Sequence, residues 1–265
     1  MKGKRENKDI DVNSLNSTLT RVVYWVFEIL ILGTMIASIV QLCVANNHLT
    51  RNTQVTHIML CVVALVLYNI PSFAQKRFKL YVPSVLHIFI LIFIFAHFVL
   101  GEVVGVYKSS AIFDKLLHTT SGLAIAIGGF SMVDLLNKGT NSHLKLNPFF
   151  VALFSFCFAL SIALLWEIFE FAVDSIFGMN MQRWDPPEEI KKAVAAGTMK
   201  APQQGYGLLD TMQDVIVSTV AALVVCVIGY FVLKRKKTLL NRFLLRKMND
   251  YDTAIAEAQE KKKKK

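Results

Sequence analysis

Six apolar runs take up most of this 265-residue chain, at residues 22–46, 57–73, 80–102, 116–136, 148–177 and 211–233. A bilayer core about 30 Å thick is crossed by about 20 apolar residues in helical form, because hydrocarbon offers an unpaired backbone amide no partner. The runs therefore predict an all-α fold, a polytopic transmembrane helical bundle of six spans over residues 22–233. The second run is short and carries Pro71 near its end, whereas the fifth is long enough to tilt or protrude. The first follows a basic segment, residues 1–21, and exceeds the apolar core of a cleaved signal peptide, so it reads as a retained anchor. With 54% hydrophobic residues the chain is too apolar to be disordered, and the spans leave no room for a separate soluble catalytic domain.

The net charge of +10 belongs to ends and loops: 12 of the 29 Lys and Arg residues follow Leu233. With the N-terminus inside, 22 of the 29 fall on the cytoplasmic side and 7 on the other, so both termini are predicted cytoplasmic in a multi-pass membrane protein. The tail, residues 234–265, joins a basic run to an apolar stripe (Leu239, Leu240, Phe243, Leu244) and five terminal lysines. That pattern suits the anionic lipids of the inner leaflet and not a nucleic acid. Cys43, Cys61, Cys157 and Cys226 fall one to a span with no Cys-x-x-Cys pair, which indicates neither a zinc knuckle nor a disulfide framework. The one long internal connection, residues 178–209, lies on the outer side and holds Trp184, Asp185-Pro186-Pro187, a short helical pattern over 188–196 and Gly205-Tyr206-Gly207. It reads as a loop resting on the membrane surface or as a lid.

Carboxylates stand where the apolar pattern should exclude them. An ionisable group at mid-membrane costs at least about 2.5–3.5 kcal/mol and marks a pathway or a site. Asp114 and His118 are four apart at the start of the fourth span; Glu167, Glu170 and Asp174 step by three and four along the fifth; Asp210 and Asp214 are four apart at the start of the sixth. Each set occupies one helix face. The faces continue as Gly122 and Ala126, Ala159 and Ala163, and Ser218 and Ala221, small residues that let helices approach closely. The expected arrangement is a polar funnel open to the outside, with Glu167 deepest. Asp210 followed by Gln213 also has the spacing of a capping box, and Asp114 gains from a helix N-terminus.

Six carboxylates and one imidazole with only Lys115 as an adjacent cation cannot all ionise in a low dielectric. Either several hold protons or a divalent metal enters. Oxygen-rich ligation with a single His suits Mg²⁺, Mn²⁺ or Fe²⁺ better than zinc. Candidate ligands are His118, Glu167, Glu170 and Asp214, with Asp114, Asp174 and Asp210 as outer ligands or orienters; Glu167, Glu170 and His118 are the candidate catalytic groups.

Three stretches carry a resemblance. Phe113-Asp114-Lys115-Leu116-Leu117-His118 with Gly122, then Trp166-Glu167-Ile168-Phe169-Glu170-Phe171, then Asp210-Thr211 with Asp214 together resemble the YjdF-like family of bacterial inner-membrane proteins over residues 113–220. The Asp-Lys-x-x-His segment is more distantly similar to the opening motif of VanZ-like membrane proteins. The resemblance implies a polytopic membrane protein and supplies no reaction.

Two active classes of function, and one passive alternative, fit these residues. One is a metal-dependent hydrolase or transferase of the outer leaflet, acting on a lipid or envelope precursor. The other is a cation- or proton-coupled permease whose acids bind cations and protons in turn, although no internal repeat or Gly- and Pro-rich broken helix accompanies it. A non-catalytic structural or assembly factor, its acid cluster locking helix packing, is the third alternative.

Overall fold

The computed structural model describes residues 3–137, 146–235 and 246–247. The apolar stripe and lysine run of the tail, and Lys138 and Lys145 of the positive-inside count, lie outside the described residues. In chain order the elements are α1 (Gly3–Val44), α2 (His48–Phe78), β1 (Leu80–Tyr81), α3 (Ser84–Ile94) with a π-helical continuation over Phe95–Val103, α4 (Val106–Ser109), α5 (Ala111–Asn137), α6 (Pro148–Phe177), α7 (Glu188–Ala195), α8 (Tyr206–Lys234) and β2 (Arg246–Lys247). The two strands form a two-residue antiparallel pair; every other element is helical. Among the described residues, six helical segments are long and apolar enough to cross a membrane: Thr18–Val44, Thr50–Phe78, Ser84–Val103, Ile112–Leu136, Pro148–Phe177 and Tyr206–Lys234.

The fifth span matches its expected bounds because its punctuation is local. Asn147 caps α6 by accepting from the Phe150 amide at 2.7 Å, Pro148 takes the first turn, and Gly178 closes the helix at φ 64. The others shift. The second span is longer than 57–73, since α2 begins at His48 behind the cap Asn47 and runs through Pro71 to a left-handed Lys79; its polar first turns are helical without being apolar. The third begins at Ser84 instead of residue 80, because Leu80–Tyr81 are extended and Pro83 precedes the helix. The sixth helix starts at Tyr206, five residues before the expected 211, so Asp210 lies a turn inside α8 and is not its cap.

The chain forms two compact units, one built on Met1–Val99 and the other on Leu100–Phe130 with Leu146–Lys237. In the first, Tyr68 is fully buried and its hydroxyl donates to the Tyr24 carbonyl at 2.8 Å, while the Tyr24 hydroxyl donates to Asn69 Oδ1 at 2.7 Å. The Phe27 and Phe95 rings stack 4.6 Å apart beside this α1–α2 seam. In the second unit the helices meet at small residues. Gly122 of α5 lies against the Ser218 backbone of α8, Gly129 against Ser155 of α6, and Gly229 of α8 against the Phe130 ring.

The second unit is polar inside and apolar outside. Along α6, Glu167 and Glu170 are each 5% exposed while Ile168 and Phe171 are 62% and 61% exposed. Along α8, Asp210, Asp214 and Ser218 are buried, and Ile216 and Val220 face outward. Water would reverse this choice; hydrocarbon favours it.

Candidate functional site

Helical spacing fixes which side chains meet. Asp114 stands in the first turn of α5 and His118 one turn on; Glu167 and Glu170 lie in the second half of α6; Asp210 and Asp214 lie in the second and third turns of α8. All six are buried. His118 stands at their centre: Nε2 is 3.6 Å from Asp114 Oδ1 and 3.8 Å from Asp214 Oδ1, and Nδ1 is 3.9 Å from Glu167 Oε1. The imidazole is held at its backbone, where Ser121 and Ser218 both donate to the His118 carbonyl, at 2.8 and 3.0 Å. Gly122 permits this, since a Cβ there would collide with the Ser218 carbonyl.

One ligand atom from each of Asp114, His118 and Asp214 lies within 4.8 Å of the others. Ligands about 2.0–2.2 Å from a shared ion sit roughly 3–4 Å from one another, the range the His118 distances occupy. Glu167 Oε2 is buried with no hydrogen-bond partner. Glu170 Oε1 accepts from the Trp166 indole at 2.6 Å, a bond along one face of α6.

Two cations enter the group where one was expected. Lys115 Nζ donates to both Asp214 oxygens at 2.8 Å, to Asp210 Oδ1 at 2.8 Å and to Asp114 Oδ2 at 3.2 Å. Arg183, from the loop after α6, reaches Asp114 Oδ2 at 3.2 Å through Nη2 and Asp210 Oδ1 at 3.8 Å through Nη1. Arg183 has φ 50, a left-handed conformation that costs a non-glycine residue about 1–3 kcal/mol and persists where its surroundings hold it. Its guanidinium lies 5.8 Å from the centroid of the Tyr107 ring, which packs against Gly101. Burial, then the nearby Asp114, pushes the Tyr107 hydroxyl well above its ordinary range, so it stays protonated. The five carboxyl groups still outnumber the two cations.

Asp174 is not brought to this group. Its Oδ1 accepts from the Met181 amide at 2.7 Å and its Oδ2 from the Gln182 amide at 2.9 Å. It pins the start of the loop that follows α6. That segment is fastened further by Gln182 Nε2 donating to Thr211 Oγ1 at 2.8 Å and by Asn180, whose amide donates to the Asp185 carbonyl and accepts from the Asp185 amide. The fastened segment is what carries Arg183 to the acids. Sequence reading missed Arg183 and Tyr107 because neither stands on a periodic face. The one signal for Arg183 was its place nine residues beyond Asp174, in the connection that follows the acid-bearing span.

The fold and this group define a helical membrane protein with a buried Asp/His/Asp set inside its spans. A family described as predicted membrane protein (DUF2238) matches residues 23–235, and the chain belongs to that family. Comparison with curated proteins and with solved structures gives no match in either.

Proposed function

We propose that the protein is a metal-dependent hydrolase or transferase of the membrane, acting from the outer face on a lipid or envelope precursor. The observation that carries the reading is the convergence of Asp114, His118 and Asp214 to within 4.8 Å inside membrane-spanning helices. In this reading His118 Nε2, Asp114 and Asp214 hold a divalent cation, with Mg²⁺, Mn²⁺ or Fe²⁺ suited to the oxygen-rich set. Held by these residues, such an ion would supply Lewis-acid polarisation of a phosphoryl or acyl oxygen. Glu167 takes the proton of the attacking water or hydroxyl, because its Oε2 is free to accept and its Oε1 faces His118 Nδ1. Glu170 is held in place by Trp166, and Tyr107 supplies a neutral hydrogen-bond donor.

The same reading places both termini in the cytoplasm of a bacterial cell, in the inner membrane, with the basic tail on anionic lipids, as the positive-inside count and the YjdF-like motifs suggest. Elemental analysis of the purified protein tests it. The expected result is about one divalent ion per chain, bound near neutral pH where His is neutral. His118→Ala and Asp214→Asn should lose the ion while keeping helical content and a cooperative melt. Metal-free wild-type protein after purification in Mn²⁺ or Mg²⁺ would overturn it.

A further inference from the structure

We infer that Lys115 is a resident counter-ion that a divalent cation displaces, and that the displaced ammonium, beside Arg183, binds the anionic group of a phosphate-bearing substrate. The inference rests on the metal-site reading above and adds an order of events and a substrate class to it.

Lys115 and the candidate ligand set share two carboxylates. Lys115 Nζ lies 2.8 Å from both oxygens of Asp214 and 3.2 Å from Asp114 Oδ2, and Asp114 and Asp214 are two of the three groups that converge with His118. An ammonium and a dication drawing on the same carboxylates repel one another strongly in a buried setting, so one leaves when the other arrives. Lys115 is the one able to leave. Its charge rides on a flexible four-carbon stem, and its side chain is 22% exposed where those of His118 and Asp214 are 7% and 1% exposed.

The present bonding also shows that Lys115 is not set to hold a substrate now. An ammonium has three donors, and three carboxylates, Asp114, Asp210 and Asp214, take them. Only displacement frees those donors for an anion. Arg183 needs no such release to remain close, because its loop is pinned through Asp174, Met181 and Gln182 and its guanidinium lies over Tyr107. Glu167 is the independent sign that the group awaits something more than Lys115. It is 5% exposed, faces His118 through Oε1, and leaves Oε2 unpartnered. A dication among the acids with two cations at its partly exposed side is the donor set that clamps a phosphoryl group.

Mn²⁺ binding to the full-length protein in nanodiscs of zwitterionic lipid tests this, in the presence or absence of inorganic phosphate or of added phosphatidic acid. Lys115→Met should bind Mn²⁺ at least about tenfold tighter than wild type, because no resident charge must first leave. In wild type the phosphate should tighten Mn²⁺ binding by linkage, and in Lys115→Met it should not. Tightening by phosphatidic acid alone assigns the anion to a lipid headgroup, and tightening by inorganic phosphate assigns it to a free phosphate. Equal or weaker Mn²⁺ binding by Lys115→Met, or a phosphate effect that survives the substitution, overturns the inference and leaves the metal site standing. Failure of both proteins to bind Mn²⁺ removes the two together. A measurement on wild type alone needs no variant to fold: Mn²⁺ should speed acetylation of Lys115, read by peptide mass spectrometry, and an unchanged or slower rate counts against displacement.

Discussion

Asp174 and Lys191 show how differently two charged residues at and beyond the end of α6 are used. Asp174 is 7% exposed and satisfies two backbone amides, those of Met181 and Gln182. Asp174→Ala leaves both donors without a partner and should cost about 1–3 kcal/mol. Unfolding in detergent should shift by that amount, and hydrogen exchange at residues 181 and 182 should accelerate, with metal content unaffected. Lys191 pairs with Asp185 at 2.7 Å and Glu188 at 3.1 Å, and these partners raise its pKa above the ordinary lysine value. The pairs are exposed, however, so solvent screens them, and Lys191→Ala should leave the melting temperature unchanged. Sequence alone did not separate the two cases. The i, i+4 step from Glu170 to Asp174 put Asp174 on the acid-bearing face, but the backbone amides that claim it come from a loop whose turn no periodicity encodes. Arg183 was hidden for the same reason, whereas Asp114, His118, Glu167, Glu170, Asp210 and Asp214 were legible because helical spacing alone determines which face they share.

At the scale of elements, the approach of α5 to α8 depends on the missing side chain of Gly122. A Cβ there meets the Ser218 carbonyl, which is backbone and has no rotamer to yield. Gly122→Ala should therefore destabilise by about 1–3 kcal/mol, and should also disturb His118, whose carbonyl accepts from Ser218. Gly33, with nothing within 4 Å, gives the internal comparison: Gly33→Ala should be neutral or gain roughly 0.5–1 kcal/mol from helix propensity. Equal melting temperatures for the two variants would show that α5 and α8 do not pack through Gly122. The sequence disclosed this contact through its small residues, and it disclosed α6 to the residue through Asn147, Pro148 and Gly178. It did not disclose how far α1 and α2 extend beyond their apolar runs, since hydropathy marks where lipid begins and not where hydrogen bonding ends. Nor did it disclose the π-helical turn over Phe95–Val103. An apolar run reads alike in either helix, and the wider spiral leaves no mark in the order of the residues.

For the whole molecule, the distribution of Lys and Arg carries an expectation of which side of the membrane the carboxylate group serves. Asp114 lies at the start of α5, Asp174 near the end of α6 and Asp210 near the start of α8, so in alternating spans these three positions belong to one side. That side carries 7 of the 29 Lys and Arg residues under the expected orientation, and two of the seven, Lys115 and Arg183, are spent on the acids themselves. The remaining excess is concentrated opposite, where insertion retains basic segments in the cytoplasm. Cysteine labelling decides the matter. In a background with Cys43, Cys61, Cys157 and Cys226 changed to Ser, Lys200→Cys in the exposed loop between α7 and α8 should react with a membrane-impermeant maleimide in intact cells. Lys76→Cys, exposed at the end of α2, should react only after the membrane is opened. The reverse pattern would turn the Asp/His/Asp group toward the cytosol, and the substrate would then have to be a cytosolic or inner-leaflet molecule instead of an outer-leaflet one.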